Sequence, residues 1–150
     1  GFTVSQIQWS LARTSPDKLG DPTLVCMTPA EYAWYREQRF PVMAYTSQAG
    51  GYFSKALSGA SLSPGDQARY GCEENSRRME RVKTICARRG VTPAAVCLAA
   101  ITENPLPGCA IVGFSSLARL RDTLSDASLE LSPEEVAWLW DGSADNRPVP

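Results

Sequence analysis

No histidine occurs among the 150 residues. That excludes Ser-His-Asp and Cys-His nucleophilic sites within the chain. It also removes the side chain most used for proton transfer near neutral pH and for zinc ligation. Acid–base work by this chain alone would fall to Tyr, Lys, Asp or Glu. The five cysteines, Cys26, Cys72, Cys86, Cys97 and Cys109, are odd in number and irregularly spaced, with no Cys-x-x-Cys pair. They describe neither a disulfide framework nor a metal site, and read as reduced, mostly buried thiols of a cytosolic protein. Arg77, Arg78, Arg81 and Lys83 interleave with Glu73, Glu74 and Glu80, the pattern of a solvated helix face. Asn75 and Tyr70 read as structural residues.

These groups need a scaffold, and the composition allows one. The chain is 43% hydrophobic and 21% charged with a net charge of −1, as in a single globular domain. The balanced charge argues against a nucleic-acid surface. No apolar run approaches the ~20 residues of a membrane span, and Gly1 to Ser5 do not resemble a secretion signal.

Residues 3–9 alternate as a strand with one unusually polar face, carrying Gln6 and Gln8. Thr28-Pro29-Ala30-Glu31 combines an N-cap, a first-turn proline and a capping-box glutamate, predicting a helix to about Arg39. Residues 40–45 form an apolar strand of the kind covered on both faces of a parallel sheet. A long irregular segment follows to about Tyr70.

A helix is predicted over 73–89, with Met79, Val82, Ile85 and Cys86 on one face and Gly90 as its stop. Thr92-Pro93 opens a buried helix that Asn104-Pro105 closes, and 109–113 is a third buried strand. Ser115 and Ser116 lead a helix through Leu117, Leu120 and Leu124, and Ser132-Pro133 starts a last one. Trp138 and Trp140 should anchor that helix, and 141–150 reads as a polar tail. Strands alternating with helices imply a parallel sheet. Three strands cannot close a barrel, and they leave open edges and a half-covered sheet, so the solitary chain is expected to self-associate or be poorly stable.

Five segments carry a resemblance. They are 5–11 (SQIQWSL), 41–47 (PVMAYTS), 90–98 (GVTPAAVCL), 110–117 (AIVGFSSL) and 129–135 (LELSPEE). In this order and spacing the chain resembles the C-terminal half of an aldo-keto reductase, an eight-stranded β/α barrel that binds a nicotinamide cofactor. The resemblance implies an α/β fold that is a partial, half TIM-type barrel over 1–140. It places the family's catalytic Asp, Tyr, Lys and His on segments with no counterpart here, so no catalytic residue and no metal ligand is assigned.

The resemblance matches Gln6 to the glutamine that hydrogen-bonds the nicotinamide carboxamide, although Gln6 also suits a polar barrel interior. It matches Tyr45 to the aromatic stacked on the nicotinamide ring, a contact that would hold the ring with one face free. Thr46 and Ser47 fall where the family contacts the pyrophosphate. Gly113, Phe114, Ser115 and Ser116 match the last strand's loop and the following helix N-terminus, an anion-binding end, though both serines equally suit helix caps. Arg119 matches an arginine near the adenine or 2′-phosphate, or pairs with Asp122 at the surface.

Two positions depart from the family. Gly113 stands where many members have a lysine, and Thr123 where many have an adenine-contacting asparagine. Both weaken the expectation of tight NADPH binding. The function implied is the NADP(H)-binding half of a carbonyl reductase completed by a catalytic N-terminal half. The alternatives are a non-catalytic partner-docking or redox-sensing domain of a larger assembly, and a structural domain that pairs with itself. The partners implied are a complementary half-barrel segment, a fused domain or a second copy, and a small carbonyl substrate, with no nucleic acid and no membrane.

Overall fold

A computed structural model describes residues 1–125 and 127–142, without the side chains of Asp122 and Ser125. The expected tail therefore lies, from residue 143 on, outside the described residues. Strands β1 (Ser5–Gln8), β2 (Val42–Tyr45) and β3 (Gly108–Ala110) form a parallel sheet in that order. Helix α1 (Pro29–Gln38) connects the first two strands. Helices α2 (Tyr52–Leu57), α3 (Pro64–Tyr70), α4 (Glu73–Arg89) and α5 (Pro93–Thr102) lie between β2 and β3, and α6 (Leu117–Ser125) and α7 (Pro133–Asp141) follow.

Helix starts follow the caps written in the sequence. Thr28 accepts from the Glu31 amide while the Glu31 carboxylate accepts from the Thr28 amide at 3.1 Å, and Ser132 and Glu135 repeat the arrangement in α7. The 46–70 segment differs from expectation: it holds α2 and α3. Ser63-Pro64 followed by Asp66 is a helix start of the same kind, with Ser63 Oγ accepting from the Asp66 amide at 3.0 Å.

Register fixes which residues share a face. Gln6, Met43 and Cys109 align across the sheet, as do Ile7, Ala44 and Ala110 in the next row. The face bearing Ile7, Val42 and Ala44 is buried against Ile101 and Leu106, with Tyr32 and Tyr35 packed alongside. The opposite face leaves Gln6 and Cys109 exposed and Met43 and Tyr45 half-buried. Helices thus cover one face only. The expected two-sided cover of 40–45 is corrected, because Met43 and Tyr45 on that face are only half-buried. β3 approaches β2 so closely that a Cβ on Gly108 would fall 2.0 Å from the Val42 carbonyl oxygen.

A second core lies among α2, α4, α5 and α7, built on Phe53, Val82, Ile85, Val96 and Leu139. Trp138 is buried in it, and Trp140 donates from Nε1 to the Ala100 carbonyl at 3.1 Å. The basic cluster on α4 is only partly solvated. Arg77 bridges Glu73 and Glu74 at the surface, but Arg78 lies over the Trp140 ring at 5.0 Å and donates to the Leu11 carbonyl at 2.6 Å. Its aliphatic stem is long enough to carry the guanidinium to those partners. Cys26 and Cys97 are buried and Cys86 half-buried, whereas Cys72 and Cys109 are exposed. No single helix among the described residues is long and apolar enough to cross a membrane.

Candidate functional site

Most of the residues expected to bind a ligand gather at the C-terminal ends of the three strands. β1 ends at Gln8, whose carbonyl accepts from the Met27 amide at 2.9 Å, while the Trp9 amide donates to the Tyr45 carbonyl at 3.2 Å. Segment 25–27 thus flanks β1 on the side away from β2. The Tyr45 hydroxyl donates to the Val25 carbonyl at 3.4 Å, so its phenol crosses the open face of β1. Gln8, the register partner of Tyr45, is 4% exposed, and its Nε2 has no hydrogen-bond partner.

Beyond β2 the backbone turns sharply. Thr46 and Ala49 adopt left-handed conformations at φ 55° and 51°, followed by Gly50 and Gly51 at 61° and 80°. For a β-branched residue such as Thr46 that conformation is uncommon and costs on the order of 1–3 kcal/mol. Hydrogen bonds hold the turn: the Ala49 amide donates to the Thr46 carbonyl at 2.8 Å. Ser47, fully buried, donates to the Ile111 carbonyl at 2.8 Å, while the Ile111 amide donates to the Ala44 carbonyl at the same distance. Gln48 donates from Nε2 to the Ala94 carbonyl at 3.2 Å and to Thr123 Oγ1 at 3.4 Å. Ser47 and Thr123 therefore have hydrogen bonds inside the fold, tying β2 to β3 and α6 to α5.

After β3, Gly113, Phe114, Ser115 and Arg119 are exposed, and Ser116 Oγ accepts from the Arg119 amide at 3.3 Å, capping α6. No acidic residue occupies the first turn of α6, so its amide end keeps its positive character. Gln6 lies on the open face, exposed, two residues before Gln8. The expected pairing of Arg119 with Asp122 falls outside the described side chains. Gln8, which the sequence does not assign to the site, also lies there. Gln8 carried a signal, since period-two alternation puts it on the Gln6 face. Asn75 is structural, as its sequence context predicts: it accepts from the Arg13 amide at 2.7 Å and donates to the Arg13 and Tyr70 carbonyls at 2.8 and 2.7 Å, fixing the loop after β1.

Away from the strand ends, Tyr52, Tyr70, Lys55 and Asp66 group the residue types of an acid–base site. Their tuning is wrong for it. Burial pushes both phenols up, and the Lys55 hydrogen bond at 2.9 Å holds Asp66 below its ordinary range. A general acid near neutral pH needs its phenol pulled down. Burial likewise pushes the Cys26, Cys86 and Cys97 thiols up, away from the reactive thiolate. Among the described residues no group of three or more His, Cys, Asp or Glu side chains could hold a metal ion.

Comparison with known proteins gives these features a context. A model of the Aldo/keto reductase family matches residues 32–141. Among solved structures, a thermostable aldo-keto reductase in complex with the inhibitor epalrestat superposes with a TM-score of 0.58 at 16% identity, covering 93% of this chain and 39% of that one. An aldo/keto reductase from Klebsiella pneumoniae, in complex with NADP and acetate, superposes at 0.55 with 20% identity, covering 91% of this chain and 38% of that one. The chain spans about two-fifths of the length of these structures.

Proposed function

The chain belongs to the aldo/keto reductase family, and from that premise we propose that it forms the NADP(H)-binding half of a carbonyl-reducing barrel. The observation that carries this reading is the sheet itself: one face is covered, the other is open, and the strand ends on the open side bear Tyr45, two side-chain amides and the start of α6. Further apolar surface fits the same reading. Leu117 and Leu124, seven residues apart on one face of α6, are 60% and 56% exposed, with Phe114 at its start 37% exposed. An apolar stripe without cover marks an interaction surface, here for the rest of the barrel.

The residues suit a nicotinamide dinucleotide. Gln8 has a buried amide donor lacking an acceptor, and a carboxamide oxygen is such an acceptor. Tyr45 offers an aromatic face beside it. The free amides of α6, the Ser115 hydroxyl and the Arg119 guanidinium would hold phosphate oxygens. When bound, the cofactor supplies a hydride to a carbonyl carbon. This chain's residues would then orient the ring and shield one of its faces. The proton for the resulting alkoxide would come from the complementary half, since Tyr52 and Tyr70 hold their protons too tightly.

A second reading, a binding module without turnover, is favoured by that same lack of a tuned acid. Titration of the intact protein with NADP+, followed by NADPH oxidation assays with an aromatic aldehyde, separates the two. Binding with turnover is expected. Binding without turnover would favour the module, and no binding would contradict both.

A further inference from the structure

We propose that Gln48 is a positioning residue that fixes α6 against the turn after β2, so that the two ends of a dinucleotide site are held at one spacing. The inference rests on the cofactor reading above. Gln48 Nε2 carries two N–H groups, enough for both of its partners. These are the Ala94 carbonyl at 3.2 Å, in the first turn of α5, and Thr123 Oγ1 at 3.4 Å, on α6. The preceding residue, Ser47, donates to the Ile111 carbonyl at 2.8 Å, at the start of the loop that leads into α6. Adjacent side chains of one turn thus reach both ends of segment 111–123.

Helix α6 needs such a tie. Among its described side chains Thr123 alone is buried and Leu120 is half-buried, while Leu117 and Leu124 are exposed. A helix with so little buried surface takes its position from the few bonds it makes. The turn that supplies them is costly, because Thr46 and Ala49 are left-handed. Strain of that kind persists where surrounding contacts over-determine it, and it gathers at segments that clamp ligands. Tyr45 immediately precedes this turn, and the amides and Ser116 cap of α6 lie at the other end of the segment it holds. A ligand that touches both ends gains from a spacing fixed in advance, since the cost of ordering them is met before binding. A ligand that touches one end gains nothing from it.

The test titrates the intact protein calorimetrically with NADP+, which spans both ends, and with adenosine 2′,5′-bisphosphate, which lacks the nicotinamide end. Gln48→Met, close in volume, and Thr123→Val should each weaken NADP+ about fivefold, the worth of one neutral hydrogen bond, and leave the bisphosphate within about twofold. The double variant should lose no more than Gln48→Met alone, because both changes break the same contact. Thr123→Ser, which keeps the hydroxyl, should bind NADP+ as the unmodified protein does. Unchanged NADP+ affinity in Gln48→Met and Thr123→Val, additive losses in the double variant, or an equal loss for both ligands would overturn the positioning role while leaving the cofactor reading standing. Failure of the unmodified protein to bind NADP+ would overturn both.

Discussion

Trp140, on the last helix, stacks on Trp9, just past the end of the first strand, with ring centroids 5.6 Å apart and planes 28° apart. Arg78 lies over the Trp140 ring at 5.0 Å, and Tyr32 packs on Trp9 at 5.9 Å. The two ends of the described chain thus meet through aromatic contacts that also join α1, α4 and the sheet.

Trp140→Ala removes this junction and leaves Arg78 without its ring. The expected loss is about 3 kcal/mol, as for other large-to-small aromatic truncations. Chemical denaturation at constant m-value checks it. A change under 1 kcal/mol would show that the contact is incidental.

Asn75→Leu keeps the volume but removes three hydrogen bonds. The Arg13 amide and carbonyl then lose their partners, a cost of about 2 kcal/mol. The Arg13 amide should exchange with deuterium markedly faster, while the amides of β2 keep their protection. Equal loss of protection in β2 would mean that the clamp supports the whole sheet rather than one loop.

Stability should fall at both pH extremes through identifiable groups. Asp66 is held below its ordinary 3.8 by Lys55. Its contribution is therefore present above that value and is lost as the pH falls through the folded-state value; Lys55→Met should flatten this acid limb. Tyr70 and Tyr52 are pushed up by burial, so the unfolded chain ionises first. Stability is intact below pH ~10 and declines above it. Tyr70→Phe, which also deletes an unpartnered buried hydroxyl, should ease the alkaline decline. Absorbance of phenolate during a pH titration reads this directly.

The sequence carried much of this architecture because its signals were local. Thr28-Pro29 with Glu31, Thr92-Pro93 and Ser132-Pro133 mark helix starts in single short stretches, and each helix begins there. Ser63-Pro64 carries the same signal, but it sits amid glycines and serines whose composition favours a loop, where the structure has α3. The open face was harder to see. The apolar run 40–45 looks alike whether one side or both are covered, and only the register with Gln6 and Cys109 separates the cases. The solvated face expected at Arg78 does not form because a charge cluster says nothing of which stem lies along an aromatic ring. At the site, Ser47 and Thr123 are polar residues of the right type, but their hydrogen bonds to Ile111 and Gln48 depend on packing distant in sequence.

The central claim is that a nicotinamide dinucleotide lies against Tyr45 at the strand ends. Calorimetric titration of NADP+ into the intact protein and its Tyr45→Ala variant tests this most directly. Loss of the stacking face should raise Kd about fivefold, in line with the ~1 kcal/mol that aromatic pairs contribute beyond area, while Tyr45→Phe should bind as tightly as the unmodified protein. Identical affinity in all three proteins, or none in any, would contradict the account.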